Sequence, residues 1–199
     1  MPAIFKKNDD KSLKELGVSS PMLVFAINWD NKKKKGLLNA LTGKKYEADL
    51  DLSCVVYDKN NDRIDCIWYA ELSSKDGAIR HKGDDTVGWH EGDDEAVIVD
   101  LNQLTEEART LFFVISSFSG DSFTHVEITY WHLFDGQSKQ EIGRYEISPR
   151  DKSKAKIVMR LQKEEANGLS EWRIKALDEP ATGQNIQEIF PEIRSLIEG

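Results

Sequence analysis

Asp49-Leu50-Asp51-Leu52-Ser53-Cys54-Val55-Val56-Tyr57 and Ile64-Asp65-Cys66-Ile67-Trp68-Tyr69-Ala70-Glu71-Leu72, joined by the polar run Asp58-Lys59-Asn60-Asn61-Asp62-Arg63, read as two strands and a hairpin turn. Successive side chains of a strand point to opposite faces, so Leu50, Leu52, Cys54 and Val56 share one face of the first strand. By the same alternation Ile64, Cys66, Trp68, Ala70 and Leu72 share one face of the second. A strand with a single apolar face must bury it against another layer, and two sheets packed face to face do this most simply.

Outward from this hairpin the same Val, Ile, Phe, Tyr and Trp enrichment recurs over residues 22–29, 96–101, 111–118, 126–134, 142–147, 156–161 and 171–177, with Gly, Asn, Asp and Ser clusters between the runs. The expected fold is mostly β: a β-sandwich of two packed sheets spanning residues 21–180. Residues 1–20 are polar, and the weak periodicity of Phe5, Leu13 and Leu16 does not distinguish a strand from a helix, so this N-terminal segment carries no assignment. In residues 181–199 the spacing changes. Ile186, Ile189, Phe190, Ile193, Leu196 and Ile197 form a helical apolar stripe, which predicts a short C-terminal helix docked on the sandwich, interrupted or started by Pro191.

At 199 residues, with 39% hydrophobic and 31% charged residues, the chain is long enough to bury one real core and too apolar to be disordered. A formal net charge of -8 argues against nucleic acid, whose phosphates demand a dominant basic face. The one basic stretch, Lys32 to Lys35 with Lys44 and Lys45, reads as an insertion over residues 32–45. Cys54 and Cys66 are too few for a disulfide framework and lack the CxxC spacing of a zinc clamp, so they are expected as buried thiols in a reducing compartment. No apolar leader follows Met1 and no run approaches the roughly 18 apolar residues of a membrane span, so the expected location is cytoplasmic, with the inner membrane face as a peripheral alternative.

Chemistry concentrates between Lys82 and Glu95. Asp84, Asp85, Glu91, Asp93, Asp94 and Glu95 set six carboxylates against Lys82 alone. Two carboxylates about 5 Å apart repel by roughly 0.8 kcal/mol in water and about 3 kcal/mol at an effective dielectric near 20, so the cluster needs a compensating charge. A divalent cation supplies it. The donors are all hard oxygens, and Gly83, Gly88 and Gly92 let the backbone turn its carbonyls inward, which suits calcium better than zinc or copper, and better than the smaller octahedral cage of magnesium. Asp49 and Asp51, two residues apart on one strand, could close the site from outside the loop.

Two look-alikes fail. Asp58, Asn60 and Asp62 imitate the start of an EF-hand loop, but Arg63 stands where Gly is required and Tyr69 where Glu is, so the segment reads as a hairpin turn. His90-Glu91 resembles the start of a zinc-protease helix, yet Asp94 stands where the second histidine is needed and Gly92 disfavours the helix. No Ser/His/Asp order, phosphate-cradling loop or activated cysteine supports an enzyme. A metal-dependent hydrolase, and a peripheral module bridging calcium to anionic lipid, remain the rival classes.

The order of motifs resembles the TerD family of calcium-binding, tellurite- and chemical-stress-resistance proteins. Trp29-Asp30, Asp49-Leu50-Asp51-Leu52-Ser53, Ile67-Trp68-Tyr69, Asp76-Gly77, His81-Lys82-Gly83-Asp84-Asp85, Thr86-Val87-Gly88, Gly92-Asp93-Asp94-Glu95, Val99-Asp100-Leu101, Arg144-Tyr145-Glu146-Ile147-Ser148 and Glu171-Trp172-Arg173 follow the family pattern from Met22 to Leu177. AINWD replaces a glycine-rich GLGWD, and Asp85 stands where the family has Asn. The resemblance implies a β-sandwich holding one or two calcium ions, no catalysis, and a scaffold or sensor role with protein partners, some at the membrane. By matching positions it implies Asp49, Asp51, Asp84, Asp85, Asp93, Asp94 and Glu95 as metal ligands, with Asp76 and Asp30 next.

Overall fold

The computed structural model describes residues 1–31, 48–82, 95–148, 150–166 and 168–198. The expected insertion at 32–45 therefore lies outside the described residues. Among the described residues twelve strands form two sheets: β1 (Ala3–Ile4), β2 (Asp10–Ser12), β3 (Met22–Asn31), β4 (Leu50–Tyr57), β5 (Arg63–Ile67), β6 (Ile79–His81), β7 (Glu95–Asp100), β8 (Thr110–Ser117), β9 (Val126–Asp135), β10 (Glu141–Ile147), β11 (Ala155–Ala166) and β12 (Leu169–Ala181). One sheet runs β1-β10-β9-β3-β7-β6 and the other β2-β12-β11-β8-β4-β5. All pairings are antiparallel except β1 with β10.

The inner faces supply the main core. Leu50, Leu52, Cys54 and Val56 of β4 meet Phe25, Ile27, Val97, Val99, Trp131 and Leu133 of the other sheet, so the alternation read in β4 is the one the fold uses. An aromatic contact ties the layers, Phe25 of β3 lying 4.5 Å from Phe113 of β8 between ring centroids, and Trp131 of the same sheet as Phe25 packs beside it at 5.4 Å. The first twenty residues complete both sheets. β1 extends one edge and β2 the opposite sheet's edge, while Phe5 and Leu13 enter the core.

The reading of residues 64–72 is corrected in two ways. β5 ends at Ile67, and beyond it Trp68 and Glu71 close a tight turn that leaves Tyr69 and Leu72 exposed. Within β5, Val56 pairs with Asp65 but Tyr57 pairs with Arg63, so Ile64 is an extra residue. That bulge reverses the parity. Ile64 packs on the inner core, Ile67 is buried in it, and Cys66 and Trp68 turn to the outer face. Cys54 and Cys66 consequently lie on opposite faces and are free, with burial pushing both thiols up, Cys66 to about 12.

The helix α1 (Ile186–Glu198) covers that outer face, burying Ile186, Ile189 and Ile193 against Val55, Tyr57, Phe112, Val114 and Ile157. Asn185 caps it, its Oδ1 accepting from Gln187 N and Glu188 N, while Glu188 returns to Gln184 N. Pro191 neither starts nor interrupts α1 but lies inside it. Proline removes one backbone donor and crowds the preceding turn, and the apolar stripe docked on sheet residues outweighs that loss.

Asp76 shows how loops are pinned. Its carboxylate accepts from Ser74 Oγ, Ala78 N and Thr105 N, while Gly77 takes the left-handed conformation at φ +72. Burial opposes the ionised form, but these hydrogen bonds outweigh it and hold the group below the ordinary carboxylate range. A depressed folded pKa stabilises above the unfolded value and loses that contribution as pH falls through the folded one. Asp76→Asn is therefore expected to melt below the parent at about pH 7, with the gap closing towards about pH 3; a constant gap in melting scans across that range would contradict the assignment.

Candidate functional site

β4 outruns β5 at one rim of the sandwich, since their pairing begins only at Cys54 with Ile67. The Leu52 backbone there has no strand partner from β5, and two side chains of the other sheet take it. Glu95, the first residue of β7, accepts from Leu52 N through Oε2 at 2.5 Å. His81, the last residue of β6, bonds Leu52 O through Nε2 at 2.9 Å. Both reach inward because Glu95 pairs with Ile27 and His81 with Val97, whose side chains belong to the inner core. The two sheets are thus joined here by polar side chains within the apolar packing, since Leu50 and Ala48 beyond Leu52 are also buried in the core.

Since Nε2 of His81 faces a carbonyl, it carries the proton. Burial disfavours the imidazolium, yet the hydrogen bond and charge of Glu95, the Leu52 carbonyl and the charge of Asp51 together outweigh it and raise the pKa. Glu95 Oε2 lies 3.6 Å from this nitrogen. Nε2, committed to a proton, is no metal ligand, and the carboxylates of this rim offer oxygens.

Asp51 lies on the face of β4 opposite Leu50 and Leu52 and is half-buried; Asp49 precedes the strand and is exposed. The Asp49 backbone is fixed at both ends, its N donating to Ser119 Oγ and its O accepting from Phe118 N. Lys82 N donates to Ala96 O at 2.9 Å, so the two ends of the acidic segment are held side by side. Asp84, Asp85, Asp93 and Asp94 lie outside the described residues, and among the described residues no three His, Cys, Asp or Glu side chains gather as a metal centre. The structure brings Glu95 and the Asp49–Asp51 strand to one rim. Of the remaining implied candidates, Asp76 is spent as the turn pin described above, whereas Asp30 is an exposed residue of β3 at the same edge: Ile27 pairs with Glu95, and Trp29 Nε1 donates to Ala48 O at 3.1 Å, next to Asp49.

The EF-hand look-alike is a turn. Asp58 Oδ1 accepts from Asn60 N and Asp62 N, and Asn61 adopts φ +66.

A second polar cluster escaped the reading of the sequence. Lys156, only 2% exposed, bonds Asp151 Oδ2 at 2.7 Å and Asp178 Oδ1 at 2.5 Å. Asp178 stands in the left-handed region at φ +57, in a bulge where Ile157 pairs with Glu179 and Met159 with Ala176. Tyr145, from the opposite sheet, hydrogen-bonds Asp178; burial first, then that carboxylate, pushes its phenol well above the ordinary range. The visible signal was a lysine inside the apolar run Ala155-Lys156-Ile157-Val158-Met159, which has to find counter-charges.

Among the described residues no helix is long and apolar enough to cross a membrane. The chain matches the TerD domain over residues 1–192. It is 34% identical over 191 residues to the tellurium resistance protein TerZ of Serratia marcescens, covering 96% of each chain. It is 23% identical over 176 residues to the stress response protein SCP2 of Bacillus subtilis (strain 168), covering 84% of this chain and 87% of the relative. A crystal structure of a homologue of telluride resistance protein (TerD) from Streptomyces coelicolor A3(2) shares the fold with a TM-score of 0.64 at 14% identity, over 85% of this chain and 95% of that one. With the two-sheet architecture and these matches together, the chain belongs to the TerD domain family of tellurium-resistance and stress-response proteins.

Proposed function

We propose that this chain binds one or two calcium ions at the rim between β4 and β7 and serves stress resistance without catalysis, as a scaffold or sensor for partner proteins in the cytoplasm. One observation carries the reading: Glu95, the last residue of Gly92-Asp93-Asp94-Glu95, is fixed on the backbone of Leu52 within Asp49-Leu50-Asp51-Leu52-Ser53. That bond joins two acidic motifs distant in sequence at one edge of the fold. The donor chemistry fits a hard cation, because Asp49, Asp51 and Glu95 offer oxygens, while Nε2 of the nearby His81 is engaged as a hydrogen-bond donor. Asp84, Asp85, Asp93 and Asp94 would complete the set. Bound calcium would neutralise the segment's charge and hold the two motifs together, and Glu95 would keep its bond to β4 while doing so.

Calorimetric titration of chelator-treated protein is the test. Calcium should bind with a stoichiometry of one or two, and magnesium should bind more weakly. No heat of binding, together with identical melting curves in chelator and in millimolar calcium, would remove the proposal.

A further inference from the structure

We propose that, once calcium is bound, the rim formed by Tyr69, Leu72 and Phe118 docks on an anionic lipid surface; this rests on the calcium reading above. Large apolar side chains exposed to solvent are scarce among the described residues, and two of them, Tyr69 at 44% and Phe118 at 58% exposure, meet at this rim, with Leu72 at 47% three residues along the chain from Tyr69. They are held there by specific contacts. The Tyr69 ring lies 4.6 Å from Trp68 and 5.7 Å from Phe118 between centroids. Phe118 N donates to Asp49 O, and His81 N donates to Leu72 O, so the patch adjoins both sides of the candidate metal rim.

Their chemistry favours an interface over a dry protein pocket. Tyr and Phe carried on short turns, with a rigid backbone behind them, suit insertion at headgroup depth, where the ring is buried and a hydroxyl stays wet. Charge selects the lipid and the trigger. Asp49 and Glu71 beside the patch repel an anionic surface while no cation is present. Exposed Lys82 closes the neck of the acidic segment, and exposed Lys154, whose carbonyl accepts from Ser117 N, stands next to Phe118 in the fold. Calcium bound at the rim would reverse the repulsion and add a bridge to lipid phosphate or carboxylate, leaving the two lysines to reinforce it.

The experiment is vesicle sedimentation of the full chain, with phosphatidylcholine alone or mixed with phosphatidylserine, in calcium or in chelator, alongside calorimetry of calcium binding on the same samples. The expected result is pelleting only with phosphatidylserine and calcium together. Tyr69→Ser combined with Phe118→Ser should cut the pelleted partition by about tenfold or more while leaving calcium affinity unchanged, because both side chains are exposed and neither is a ligand. Calcium binding seen by calorimetry with the protein still in the supernatant would overturn this inference and leave the calcium reading standing. Pelleting that persists equally in chelator, or equally in the double variant, would also overturn it. If calcium instead produced a second sedimenting species without vesicles, the patch would be an interface between protein chains. A sample that binds no calcium and does not pellet would overturn both readings, and the calorimetry identifies that case.

Discussion

Replacing Lys156 by Met should cost about 3–5 kcal/mol of stability at about pH 7, the largest single-residue effect expected outside the apolar core. The ammonium group sits between Asp151 and Asp178 with almost no access to solvent. Its removal leaves two partly buried carboxylates facing each other, and methionine fills the volume without supplying charge. Asp178→Asn should cost less, since asparagine tolerates the left-handed backbone and keeps one oxygen for Lys156 and Tyr145. The double variant should lose less than the two single losses added together, as expected for residues in one network. The loss should also depend on pH. Burial opposes the Asp151 ion, but Lys156 and Ser153 outweigh it and hold its pKa below the ordinary value, so its contribution is present above the unfolded pKa and fades as pH falls through the folded one. Urea unfolding of the three variants at about pH 7 and about pH 3 measures all of this; a Lys156→Met loss under about 1 kcal/mol at the higher pH would mean the cluster is solvated and contributes little.

The strand alternation of residues 50–57 was legible because one inward face and one outward face follow directly from a period of two. The neighbouring strand defeated the same rule through one residue. Ile64 is inserted opposite the Val56–Tyr57 step, and nothing in the spacing of Ile64, Cys66 and Trp68 announces a bulge. β1 and β2 were illegible for a different reason: strands of two and three residues carry no period, and their positions are set by edges that only the folded sheets provide. Pro191 misled because its local cost is real, whereas the gain that outweighs it comes from sheet residues far away in sequence. At the candidate site, Glu95 was visible as an acidic residue of a conspicuous run. Its partner was not, because the partner is the backbone of Leu52, and a backbone donor has no sequence signature. His81 likewise reads as an ordinary strand histidine until its carbonyl partner is known.

Calcium at about a hundredfold excess over its Kd should raise the stability of the native chain by about 2.7 kcal/mol, enough to move the melting temperature by several degrees. Which carboxylates carry that gain is the sharper question, because a diffuse negative segment and a coordinating site respond differently to the loss of one charge. Substitution by Asn keeps an oxygen and the shape while removing the charge. Asp84→Asn and Asp94→Asn should each weaken calcium by at least about tenfold, equivalent to about 1.4 kcal/mol, and shrink the thermal shift accordingly. Asp85→Asn should be mild, since the family pattern carries Asn there. Asp58→Asn supplies the control: its side chain serves the hairpin turn through Asn60 N and Asp62 N, a role Asn can fill, and it sits at the opposite end of β4 from Asp49. An eight-residue strand at about 3.3 Å per residue puts it some 26 Å from the rim, beyond the roughly 10 Å screening length of 0.1 M salt. A coordinating site predicts no change in calcium affinity for Asp58→Asn, so equal affinities across all four variants in calorimetry would mean that the segment attracts calcium without binding it.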